Sequence, residues 1–133
     1  MNGLCLGCRA PRASLIFWPG SAFIWTIHMP AAAFAWTHAK PHDAALDKYV
    51  TEGKPWKTRY RCKNCGCCVG SYNTKTENWS VWGTQLERNE GGITKNWEVV
   101  KPTAHIFYET RLVDVDDELS KWEGYEYKST RIS

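Results

Sequence analysis

At 133 residues the chain has the length of one domain, large enough to bury a core and too short to divide comfortably into two. Its 17 basic and 14 acidic side chains leave a net charge of +3 and never gather into a run of five like charges, so the electrostatic footprint of a nucleic-acid binder is missing. Eight Trp, six Tyr and four Phe make the chain unusually aromatic, and large rings favour the half-buried surface of a sheet, so composition points to a mainly β fold.

The first feature along the chain is a CxxC pair, Cys5-Leu6-Gly7-Cys8, and a second follows at Cys62-Lys63-Asn64-Cys65. Four thiolates in two such pairs can complete a tetrahedral zinc site. With 53 residues (9–61) between the pairs, a shared ion would join distant parts of one domain and act as a long-range staple. Met1 to Gly7 carries no basic residue ahead of an apolar stretch, and the apolar segment from Leu15 to Trp36 is broken by Pro19, Gly20, His28 and Pro30. Neither a signal peptide nor a membrane-spanning helix is therefore expected. Without a sign of export, six cysteines read as reduced thiols or metal ligands in an intracellular compartment, the cytoplasm, rather than as a disulfide framework.

Leu15-Ile16-Phe17-Trp18 ends at the turn signal Pro19-Gly20, and Ala22 to His28 then reads as a buried strand stopped by Pro30. Ala31 to Thr37 suits strand or helix. The polar stretch from His38 to Lys48 contains Pro41 and reads as a loop leading to a short strand at Tyr49-Val50. Alternation resumes from Lys57 to Tyr60 and runs into the second CxxC pair. Gly66, just after its second thiol, suits the tight turn in which backbone amides face knuckle sulfurs. An outgoing strand would carry Cys67 and Cys68 as small, buried residues, or turn at most one of them to the metal in place of a missing ligand. Further strands are expected at Trp79 to Trp82, Glu98 to Val100 and His105 to Tyr108, punctuated by Gly91-Gly92 and Pro102, and the chain past Asp116 reads as turn and coil.

Several of these stretches together carry a family resemblance. Tyr49 followed by Arg61-Cys62-Lys63-Asn64-Cys65-Gly66 is similar to a "Y...FCxxCGS" segment. Gly20-Ser21-Ala22-Phe23 with Met29-Pro30-Ala31-Ala32-Ala33-Phe34 is similar to "GSAF...VPxxxF", and Pro102-Thr103-Ala104-His105-Ile106-Phe107 to "P..HIF". The chain thus resembles the glutathione-dependent formaldehyde-activating enzymes and CENP-V-like proteins, mainly over residues 20–124 of a single domain spanning 1–133. The resemblance implies an Mss4-like, β-rich tent holding zinc as its cofactor. It also implies carbon-sulfur lyase chemistry, in which a small-molecule thiol such as glutathione adds to formaldehyde or a similar aldehyde. No nucleic-acid or membrane partner is implied, and oligomeric state is left open.

By resemblance, Cys62 and Cys65 match the later CxxC pair that holds a structural zinc. Two alignments are open for Cys5 and Cys8. In one, Cys5, Cys8 and Arg9 match the end of the catalytic "CHCxxC" motif, with Gly3 and Leu4 standing where its first cysteine and histidine belong. The strands bearing the family's early CxC pair would then lie before Met1, and the chain would be an N-terminally shortened version of the pattern. In the other, Gly3 to Cys8 is a distorted "GxCxCG" segment, and Cys5 and Cys8 join Cys62 and Cys65 at one structural ion. A non-catalytic, zinc-stapled module that binds or scaffolds is the alternative to an enzyme. His28, His38, His42 and His105 read as exposed or hydrogen-bonded histidines before ligands. The tryptophans read as core before binding platform. Arg59 and Arg61 suit either an exposed strand or the carboxylates of a glutathione-like anion.

Overall fold

A computed structural model describes residues 24–36 and 44–133. The apolar stretch Leu15 to Trp18, the first two residues of the strand expected from Ala22, the Gly20-Ser21-Ala22-Phe23 segment, and His38 and His42 lie outside the described residues, as do Cys5 and Cys8.

Five strands form one antiparallel sheet in the order β1-β5-β4-β3-β2, from β1 (Thr26–Pro30), β2 (Leu46–Val50), β3 (Lys57–Cys62), β4 (Cys68–Asn73) and β5 (Asn78–Trp82). The mainly β expectation therefore holds. Pro30, expected to stop β1, is its last residue and pairs with Asn78. A proline without an N–H is tolerated there because β1 is an edge strand. β2 starts at Leu46, three residues earlier than expected, since Leu46 pairs with Cys62 and is buried beside it.

Because paired residues share a face, the register divides the sheet into two unlike surfaces. One face carries Met29, Trp79, Tyr72 and Thr58 across the strands and, in the adjacent row, Ile27, Val81, Gly70 and Tyr60. Trp79 is its centre: Phe34 stacks on it at 4.1 Å between ring centroids, Tyr60 and Tyr72 lie at 5.2 Å, and Trp36 meets it edge-on at 5.5 Å. Towards the β2 end this cluster merges with buried Leu46, Cys62 and Val69. A register shift at Tyr60/Arg61 marks a bulge where β3 and β4 approach the knuckle.

The opposite face is polar. His28, Ser80, Ser71, Arg59 and Tyr49 form one cross-strand row, and Pro30, Asn78, Asn73 and Lys57 form the next. After β5 a short 3-10 turn at Gly83–Gln85 brings the backbone against Trp25. The Gly83 N–H donates to the Trp25 carbonyl at 2.9 Å, and a Cβ at Gly83 would collide with the Trp25 ring.

Beyond residue 95 regular structure thins. Trp97–Val100, expected in part as a strand, is a single helical turn, α1. Val99 and Val100 have strand-forming side chains but pair with no strand among the described residues. The bonds formed instead are local, Lys101 N–H to the Trp97 carbonyl at 2.8 Å and Val99 N–H to the Asn96 carbonyl at 2.9 Å. The strand expected from His105 is cut to Ala104–His105 (β6), because Phe107 takes a left-handed φ of 54° and turns the chain into a 3-10 segment at Tyr108–Thr110. Past Asp116, expected as coil, Ser120–Lys121 (β7) pairs with β6 in parallel.

Candidate functional site

The second CxxC pair sits in the loop between β3 and β4. Cys62 is the last residue of β3 and is buried, whereas Cys65 at the loop tip is exposed. The loop is closed by backbone bonds: the Cys62 N–H donates to the Cys67 carbonyl at 2.9 Å, and the Gly66 N–H returns to the Cys62 carbonyl at 2.8 Å. Gly66 adopts φ 71°, the left-handed conformation anticipated for this glycine, which L side chains adopt at a cost. A third bond, from the Lys63 N–H to the Ala45 carbonyl at 3.0 Å, anchors the loop to the residue before β2. Cys67 is half-buried against Leu46, Cys62 and Val69, and Cys68 opens β4 opposite Arg61. The Gln85 amide reaches the Cys67 sulfur at 3.0 Å and so ties the segment after β5 to the knuckle.

Two thiols on a preformed turn, one anchored in the core, match the donor chemistry of half a tetrahedral zinc site. Among the described residues no three His, Cys, Asp or Glu side chains converge as a metal site. Both Cys5 and Cys8 lie outside those residues.

The histidines within the described residues are hydrogen-bonded. His105 Nε2 lies 2.9 Å from the Asp117 carboxylate and links β6 to the loop before β7. That bond, foremost, holds the Asp117 carboxyl below its ordinary value of 3.8. His28 Nδ1 lies 2.9 Å from the Ser80 hydroxyl, and its Nε2 lies 3.3 Å from that of Thr26. Partial burial, and secondly the charge of Lys57, push its pKa below 6.5. Arg61 pairs with Asp47 at 3.3 Å and Arg59 Nη1 donates to the Tyr49 hydroxyl at 3.4 Å, while the buried Arg59 Nε has no acceptor among the described residues.

Sequence reasoning passed over a groove of about 1050 Å³ between the polar sheet face and the C-terminal segment. His28, Ser80, Asn78, Asn73 and Lys57 form its sheet side, and Ile106, Phe107, Leu112, Val113 and Tyr125 belong to the opposite wall. Its signal was available only as polar residues at alternate positions of consecutive strands, a pattern equally suited to a solvated face. Comparison with models of protein families, with curated proteins and with solved structures finds no match to this chain. No helix among the described residues is long and apolar enough to cross a membrane.

Proposed function

We propose that the protein is a zinc-stapled β domain, resembling an Mss4-like tent, that handles a small thiol or aldehyde in the manner of carbon-sulfur lyases. The observation that carries this reading is the knuckle: Cys62 and Cys65 on a hydrogen-bonded loop with Gly66 at φ 71°, at the end of a sheet whose sequence bears the family-like segments. Cys62 and Cys65 would hold the ion together with Cys5 and Cys8. With all four thiolates bound, zinc supplies a cross-link between distant chain segments; Lewis acidity towards a carbonyl oxygen would need one ligand position to open. A reducing, intracellular setting accompanies the reading, because the ligands must be thiolates.

The reaction to test is addition of the glutathione thiol to formaldehyde, in which a carbon-sulfur bond forms and the carbonyl oxygen gains a proton. Exchange NMR of glutathione and formaldehyde with the zinc-loaded full chain measures the rate of S-hydroxymethylglutathione formation above the spontaneous rate. Acceleration that disappears in Cys8→Ser supports the enzyme reading. An unchanged spontaneous rate in a chain that holds zinc overturns it in favour of a non-catalytic module, the reading favoured by Gly3 and Leu4 at the positions of the family's first catalytic cysteine and histidine.

A further inference from the structure

We propose that the groove between the polar sheet face and the C-terminal segment binds a small organic carboxylate with an apolar body, the carboxylate seated at Lys57. The argument begins with unmatched charge. Two of the four Lys and Arg side chains along the groove already have a carboxylate: Lys101 pairs with Glu98 at 2.6 Å and Arg111 with Asp114 at 2.5 Å. Lys57, in the sheet wall, has no carboxylate partner among the described residues, and cationic Arg59 and Lys54 are its charged neighbours. Burial, and then those two charges, lower its pKa from 10.5. An anion at this point would counter the repulsion and offset the cost of desolvation. Of the groove's acids, Asp117 is engaged by His105 and Lys121, while Glu126 is bonded, among the described residues, only to the neutral Thr103 hydroxyl and keeps its charge, so Lys57 and Lys128 outnumber the unpaired acids by one.

The neighbours of Lys57 specify the kind of anion. Asn73 and Asn78 share its cross-strand row, so amide donors stand beside the ammonium, and Ser80 and His28 follow in the next row. One ammonium with a few neutral donors suits a carboxylate, whereas a phosphate dianion calls for more positive charge. The C-terminal wall also presents Ile106, Phe107, Leu112 and Val113 to a hydrocarbon or aromatic body. The site lies on the sheet face opposite Cys62, so it does not depend on the knuckle's metal.

Decanoate and decanol, titrated into the full chain and followed by calorimetry and amide NMR, separate charge recognition from simple apolar burial. The expected result is decanoate binding about tenfold tighter than decanol, as one charge-assisted contact supplies, with shifts at Asn73, Asn78 and Ser80 and none at Cys65 or Gly66. Lys57→Met should weaken decanoate about tenfold and leave decanol unchanged. The wild-type shifts test the site even if that variant misfolds. Equal affinity for the two probes, no decanoate binding, or shifts confined to other surfaces would each overturn the proposal.

Discussion

The two faces of the five-stranded sheet are made by the same strands and are held by different physics. On one, Trp79 gathers Phe34, Trp36, Tyr60 and Tyr72, and the cluster continues into buried Leu46, Cys62 and Val69. Non-directional burial dominates there. On the other, a polar row faces a groove whose far wall is a segment with only two-residue strands, fastened by individual hydrogen bonds: Tyr108 to Val115, Gly124 to Ser129, and His105 to Asp117. A sheet can thus be stabilised from one side while the other is kept open for a ligand.

The sharpest way to break this contrast is to remove the centre of the aromatic face. Trp79→Ala should lower unfolding free energy by roughly 3 kcal/mol, the lower end for truncating a large aromatic because this ring is only half-buried. Chemical denaturation followed by circular dichroism measures it. A loss below about 1 kcal/mol would mean that the cluster is not the main source of stability.

A smaller effect belongs to the groove wall. The Tyr108 hydroxyl accepts the Val115 N–H at 2.8 Å and lies 3.4 Å from the Val115 carbonyl, so Tyr108→Phe strands a backbone donor without altering shape. The expected loss is about 1 kcal/mol, with faster hydrogen exchange confined to the C-terminal segment. Exchange that rises equally in β3 and β4 would show that the two regions open as one unit.

The smallest effect is acid sensitivity, and it should originate on the polar side. His28 has a folded pKa below 6.5, so the unfolded chain takes up its proton first and stability falls as pH drops from about 6.5 through the folded value. Asp117 is depressed below 3.8, so its contribution is present above that value and is lost as pH falls through the folded pKa. Denaturation midpoints at pH 7.5 and 5 should differ in the wild type, and that difference should shrink in His28→Gln. An undiminished difference would remove His28 as its source.

Legibility in the sequence followed the same division. The aromatic face was readable because rings and β-branched residues alternate within short strands, and the knuckle was readable because CxxC-Gly fixes a local turn. Tertiary context decided the remainder. Val99 and Val100 carry strand side chains without a partner strand among the described residues, Phe107 reverses the backbone with a left-handed φ that nothing in its type announces, and Ser120–Lys121 becomes a strand only because His105 lies beside it. The groove was invisible for a related reason: Lys57, Asn73, Asn78 and Ser80 converge only once the register is known. Cys5 and Cys8 fall outside the described residues, so their tie to Cys62 and Cys65 rests on spacing and resemblance.

That tie is the central claim, and zinc content per chain tests it most directly, measured by native mass spectrometry on wild type, Cys65→Ser and Cys8→Ser. One zinc in the wild type, lost from both variants, is the predicted result for a four-thiolate staple. Retention of one zinc in Cys8→Ser, or no zinc in the wild type purified under reducing conditions, would contradict it.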